Sequence, residues 1–94
     1  MRTIAIASSF KRAYKILLRK RPDLKPKVIE ILRLLCTTPF TPSLQTHKLK
    51  GDLAGSWSCT VEYDCRIVFN FIEGEKGEDD NILLIDIGSH DDVY

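Results

Sequence analysis

The chain has 94 residues, of which 44% are hydrophobic and 29% charged, values of a soluble globular protein and enough for one domain, residues 1–94, with a modest core. No apolar stretch approaches the roughly 20 residues of a membrane span, and the N-terminus, Met1-Arg2-Thr3-Ile4-Ala5-Ile6-Ala7-Ser8, lacks the long apolar region and cleavage site of a signal peptide, so a cytoplasmic protein with no membrane partner is expected. The net charge of +1 conceals an asymmetry: residues 1–51 carry 12 Lys and Arg against two acids, a balance of +10, and residues 52–94 carry two against 11, a balance of −9.

Thr3 to Ala7 reads as a short first strand. Ser8 or Ser9 then offers a hydroxyl to cap a helix, whose orphan amides need an acceptor. Phe10, Tyr14, Leu17 and Leu18 share one helical face, with Lys11, Arg12, Lys15, Arg19 and Lys20 on the others. Pro22 ends this helix, Asp23 is the expected cap of the next, and Pro26 is tolerated in a first turn, where no amide donor is needed. Val28, Ile31, Leu32 and Leu35 form the inward stripe of the second helix, widened by Ile29 and Leu34, until Thr37-Thr38-Pro39 stops it. The tight Pro-Asp connection predicts an antiparallel helical pair.

From Leu44 the pattern changes to strands. His47-Lys48-Leu49-Lys50 alternates until Gly51 breaks it. Ser56 to Glu62 alternates with Trp57, Cys59 and Val61 on one face. Glu62-Tyr63-Asp64 fits a tight turn into Arg66–Ile72, where Ile67, Phe69 and Phe71 share a face. An acidic, glycine-bearing loop over 73–81 leads to a last, very apolar strand, Ile82 to Gly88, interior to a sheet. The order is β-α-α-β-β-β, which predicts an α+β fold: a two-helix hairpin packed on a mainly antiparallel, curved sheet.

Chemistry-bearing residues are few. Cys36, Cys59 and Cys65 are odd in number and lack C-x-x-C spacing, so reduced thiols are expected, and with two histidines they make no zinc pattern. No cofactor or metal is therefore implied. The chain ends Gly88-Ser89-His90-Asp91-Asp92-Val93-Tyr94, which puts a ring that titrates near neutral pH and a ring able to stack on a nucleobase just beyond the last strand. The basic half suits a polyanion, whether RNA, DNA or an acidic protein segment, unless the two halves pair with each other.

Four elements carry a family resemblance: the element order, His47-x-Leu49-x-Gly51-x-x-x-Gly55, Tyr63-Asp64-x-Arg66-Ile67-Val68-Phe69, and His90-x-x-x-Tyr94. Together they resemble the RelE/ParE toxin superfamily, most closely its RelE/YafQ-like branch of messenger-RNA interferases, over essentially the whole chain. The resemblance implies the toxin of a type II toxin–antitoxin module, a metal-independent endoribonuclease that cuts messenger RNA on the ribosome. In that reaction the ribose 2′-hydroxyl attacks its neighbouring phosphate and the 5′-oxygen leaves. It implies a cognate antitoxin as partner, and operator DNA contacted through that antitoxin.

Carried over residue by residue, the resemblance makes His90 the general acid and Tyr94 a base-stacking ring. It makes Asp64 a base or the group that orients an imidazole, His47 an active-site histidine, and Arg66 the cation that stabilises the phosphorane. Lys48 and Lys50 are candidates to hold the RNA backbone, although alternation puts both on the strand face opposite His47. Thr60 stands where the YafQ-like branch carries a further histidine. A strand arginine also commonly pairs with a nearby acid, for which Glu62 and Asp86 are available. Two other readings share the fold: a ParE-like inhibitor of DNA gyrase, and a non-catalytic binding module.

Overall fold

Alternating apolar residues in the second half of the chain and 3.6-periodic ones in the first produce a sheet with helices on one face. The computed structural model describes residues 2–77, 80–89 and 93. Strand β1 (Ile4–Ile6) leads into helices α1 (Ser8–Lys20) and α2 (Lys25–Thr37), followed by strands β2 (His47–Lys48), β3 (Trp57–Glu62), β4 (Cys65–Ile72) and β5 (Asn81–Gly88). The sheet order is β1-β5-β4-β3-β2, with β1 parallel to β5 and the other pairs antiparallel. The α+β class is as predicted; the two-residue β2 adds an edge strand to the predicted order. No helix among the described residues is long and apolar enough to cross a membrane.

The predicted helix faces are the buried ones. Phe10 of α1 and Val28, Ile31 and Leu35 of α2 pack with Cys59, Ile67, Phe69, Ile82, Leu84 and Ile87 of the sheet in one core. Ile29 was expected to widen the stripe of α2 but is exposed, because it stands a helical step of about 100° from Val28, away from the sheet. Phe40, Trp57, Phe69 and Phe71 continue the core into an aromatic corner with ring centroids 5.3–5.8 Å apart.

Neither predicted cap forms. Ala7 occupies the N-cap of α1, and the Ser9 hydroxyl instead donates to the Ile85 carbonyl at 2.6 Å, fastening the helix to β5. Asp23 lies in a 3₁₀ turn, Pro22–Leu24, and accepts two hydrogen bonds from Arg21, which hold its carboxyl below the usual carboxylate range. Arg21 also reaches Glu62 at 3.1 Å. Among the described residues this is the one ion pair joining the basic and acidic halves.

Two bulges set the faces. In the β4–β5 ladder, Val68 pairs with Asp86 and Phe69 with Leu84, so Ile85 is the extra residue. The buried positions of β5 accordingly change from Ile82 and Leu84 to Ile87. The Asp86 carboxylate accepts from the Ile87 amide at 2.9 Å. In the β3–β4 ladder the register slips between Thr60 and Glu62, and Val61 enters the core while the adjacent Glu62 turns to Arg21, the C-cap of α1.

Phe69, fully buried at the centre of β4, is the residue on which core packing depends most. Phe69→Ala should lower unfolding free energy by about 3–5 kcal/mol, measured by denaturant titration. The core thiols predict a pH dependence. Burial, with the charges nearby, pushes Cys59 up to about 12 and Cys65 up to about 11 from an ordinary value of 9.0. Both ionise more readily in the unfolded chain. Their contribution to stability should therefore be complete below pH 9, then be lost as pH rises towards 11–12. A Cys59→Val variant should show a shallower alkaline fall.

Candidate active site

Side chains opposite one another across an antiparallel pair share a face. Cys59 pairs with Ile67 in the core, so Thr60 and its partner Arg66 project from the second face of the sheet, away from the helices. His47 pairs with Ser58 and joins that face. His47 and Arg66 therefore flank β3 on the same side, separated at the backbone by two strand spacings, about 10 Å, and a stagger of about 7 Å.

Arg66 is held by the β3–β4 hairpin. Its Nη1 donates to the carbonyls of Glu62 at 2.9 Å, Tyr63 at 3.0 Å and Cys65 at 3.4 Å. The carboxylate of Glu62, a predicted partner, goes to Arg21 because the bulge turns it to the helix side. Arg66 forms no ion pair among the described residues. Three neutral carbonyls of the hairpin thus fix the guanidinium in place.

His47 is exposed, with Nδ1 2.8 Å from the Gln45 carbonyl. A carbonyl can only accept, so that contact places the proton on Nδ1 and leaves Nε2 as the lone-pair nitrogen of the neutral ring. Gln45 also meets the position that departs from the family pattern: the Thr60 hydroxyl donates to Gln45 Oε1 at 3.3 Å. Gln45 adopts φ 49°, the left-handed region, at the end of a 3₁₀ turn over Pro42–Leu44. Gln45 carries no sign of this role in the sequence. Nothing in a glutamine predicts a positive φ; its position two residues before a histidine was the only available signal.

Asp64 is exposed on the hairpin turn and lines a cleft of about 250 Å³ with Leu17, Lys20 and Arg21 of the α1 end and with Ser89. Gly88 pairs with Arg66, so β5 ends beside that hairpin. Asp64, Arg66 and Ser89, which immediately precedes His90 in sequence, are in this way brought to one end of the sheet, whereas His47 stands across β3. Lys48 is not brought to the His47 face. It pairs with Trp57 and its Nζ lies 5.5 Å from the Trp57 ring centroid, at the aromatic corner. Lys50 is exposed just before a 3₁₀ turn over Gly51–Leu53. His90 and Tyr94 lie outside the described residues.

No three His, Cys, Asp or Glu side chains gather to hold a metal among the described residues. The site's resources there are one fixed cation, one exposed imidazole of defined tautomer and one exposed carboxylate. Taken singly, a guanidinium is of the kind that binds a phosphate, and an imidazole or a carboxylate of the kind that moves a proton.

Solved structures share this architecture. YafQ from E. coli strain BL21(DE3) superposes with a TM-score of 0.80 at 19% identity, covering 100% of this chain and 99% of that one. A metal-bound toxin from Helicobacter pylori superposes with a TM-score of 0.78 at 28% identity, covering both chains fully. A YoeB/ParE toxin from Agrobacterium tumefaciens does so at 0.75 with 25% identity, over 94% of this chain and 98% of that one. Comparison with curated proteins finds no match. The model of the YafQ family, bacterial toxins of type II toxin–antitoxin systems, matches residues 2–94. With that match spanning the hairpin arginine, the His47 strand and the end of β5, the chain belongs to the YafQ toxin family.

Proposed function

We propose that this toxin is a metal-independent endoribonuclease that cleaves messenger RNA on the ribosome and is held inactive by a cognate antitoxin. The observation that carries the reading is Arg66, whose guanidinium is fixed by three hairpin carbonyls with no described carboxylate partner, beside the strand end that leads to His90. Structures of DinJ–YafQ complexes from E. coli support an antitoxin partner, since that toxin shares this fold.

In this mechanism a scissile phosphate sits against Arg66. A base takes the 2′-hydroxyl proton; His47 Nε2 or the Asp64 carboxylate supplies it. The 2′-oxygen forms a bond to phosphorus as the phosphorus–5′-oxygen bond breaks, giving a cyclic phosphate on one product. His90 donates its proton to the departing 5′-oxygen. Arg66 stabilises the charge of the phosphorane between these steps. Tyr94 stacks on a base at the cut, and Lys50 steadies the RNA backbone. Lys48 contributes to the aromatic corner instead of to this site.

Arg66→Ala should lower cleavage about 10²–10³-fold. Ribosome association and thermal stability should change little. Single-turnover cleavage of ribosome-bound messenger, read beside a melting curve, checks this. Retained cleavage with lost stability would make Arg66 a hairpin brace only. His90→Gln keeps a hydrogen-bonding side chain but cannot transfer a proton at neutral pH, so it should lower cleavage about 10²–10⁴-fold and relieve growth arrest on induction. The same inductions separate the gyrase reading. Cut messengers with intact chromosomes support the ribonuclease; undiminished toxicity of His90→Gln with DNA breaks supports gyrase as target.

A further inference from the structure

Two buried valines lie outside the main core. Ile67 and Phe69 of β4 enter that core, so Val68 between them points to the second face, away from both helices. Val68 is nevertheless only 2% exposed, and Ser58, its neighbour on β3, is 0% exposed. An antiparallel sheet can leave one face in water, so burial at these two positions means that part of the chain covers this face. Val93 is the second valine: it is 7% exposed and likewise absent from the main core.

The covered spot lies between the groups that the proposed reaction uses. Val68 pairs with Ser58, and Ser58 with His47, so His47 stands two strands away in the same row. Arg66 is two residues back along β4 on the same face, about 7 Å away at the backbone. The segment after β5 begins at this end of the sheet, because Gly88 pairs with Arg66 and Asp86 with Val68. The Val93 amide donates to the Ser89 carbonyl at 3.1 Å, which keeps residue 93 beside the end of β5. The β2–β3 connection offers no buried apolar partner for Val68, since Leu49 and Leu53 there are half-buried.

We propose that Val93 seats on Val68, and that this seat is the positioning contact that holds His90 at the Arg66 end of the second face for proton transfer. The proposal rests on the ribonuclease reading above and deepens it by naming the residue through which the acid is placed. Val93 has no proton to give and acts only through His90. Covalent connectivity sets the reach. His90 follows Ser89, which lines the cleft with Asp64, and precedes Val93 by three residues, a span of at most about 11 Å. A proton donor must come within hydrogen-bond distance of the leaving oxygen, and a misplacement of about 1 Å can cost on the order of 10²-fold in rate. A valine suits an anchor because its branched side chain is restricted at χ1, so little freedom remains in the contact.

The experiment uses the full chain and ribosomes carrying a messenger. Methyl–methyl nuclear Overhauser contacts between Val68 and Val93 are expected in the free protein, and their absence overturns the seat. In single-turnover cleavage at saturating toxin, Val93→Ala should cut about 10- to 100-fold more slowly than the parent. Its ribosome affinity and far-UV circular dichroism should match the parent, and Val93→Ile, which keeps the branched anchor, should cut nearly as fast. Val68→Ala removes the other half of the contact and should repeat the loss. Added to His90→Gln, Val93→Ala should slow cleavage no further, because the anchor then has no imidazole to place. A double variant slower than His90→Gln by the full factor that Val93→Ala costs alone, or a Val93→Ala chain that cuts at the parent rate, overturns the positioning role while leaving the ribonuclease reading intact. A parent chain that cuts no ribosome-bound messenger overturns the ribonuclease reading, and the role of Val93 towards His90 with it, whatever the methyl contacts show.

Discussion

Arg66 stands opposite Gly88 because β4 and β5 hold one antiparallel register, interrupted once at Ile85. That ladder is the constraint on which the rest of the molecule depends. It places Phe69 against Leu84 at the centre of the core, receives β1 along its other flank, and accepts the Ser9 hydroxyl at the bulge. Without the extra residue, strict alternation would turn Asp86 towards the helices and Ile87 away from them. The bulge makes an otherwise continuous apolar strand serve two packing registers.

The hairpin depends on the second bulge in a comparable way. By turning Glu62 towards α1, it gives Arg21 its carboxylate and leaves Arg66 the carbonyls. Two arginines near one acid would ordinarily compete for it. Here backbone geometry separates them, so one braces the helix end and the other remains a cation on the second face. Desolvated ion pairs gain stability only with good geometry, and exposed ones contribute little. The value of this arrangement lies in directing charge, more than in its contribution to folding.

Family and fold bear on function unequally. The match over residues 2–94 establishes the toxin family. Structural likeness at 19% identity establishes architecture alone. The proposed ribonuclease activity rests on what the individual side chains can do: a fixed guanidinium, an imidazole with its Nδ1 proton engaged, and a carboxylate on the hairpin turn. Thr60 fits that picture as a tether for Gln45, which in turn orients His47. The position that departs from the family pattern is therefore structurally tied to the exposed histidine on the same face.

Much was determined by the sequence alone. Periodicity marked both helices and their buried faces, because 3.6-residue spacing admits one apolar stripe. Alternation marked β3 to β5, and it also separated Lys48 from His47, since neighbours on a strand point to opposite faces. Other features belong to the tertiary structure. Ser9 became a tie to β5 instead of a cap, because the bulge brings the Ile85 carbonyl within reach of its hydroxyl. Asp23 became a partner of Arg21. The left-handed Gln45, the two bulges and the choice of partner for Glu62 have no local signature. Each is set by which strand or helix lies alongside, and that neighbour is far away in the chain. The core and its elements are local in origin, whereas the charge and orientation of the site depend on contacts that only the assembled sheet supplies.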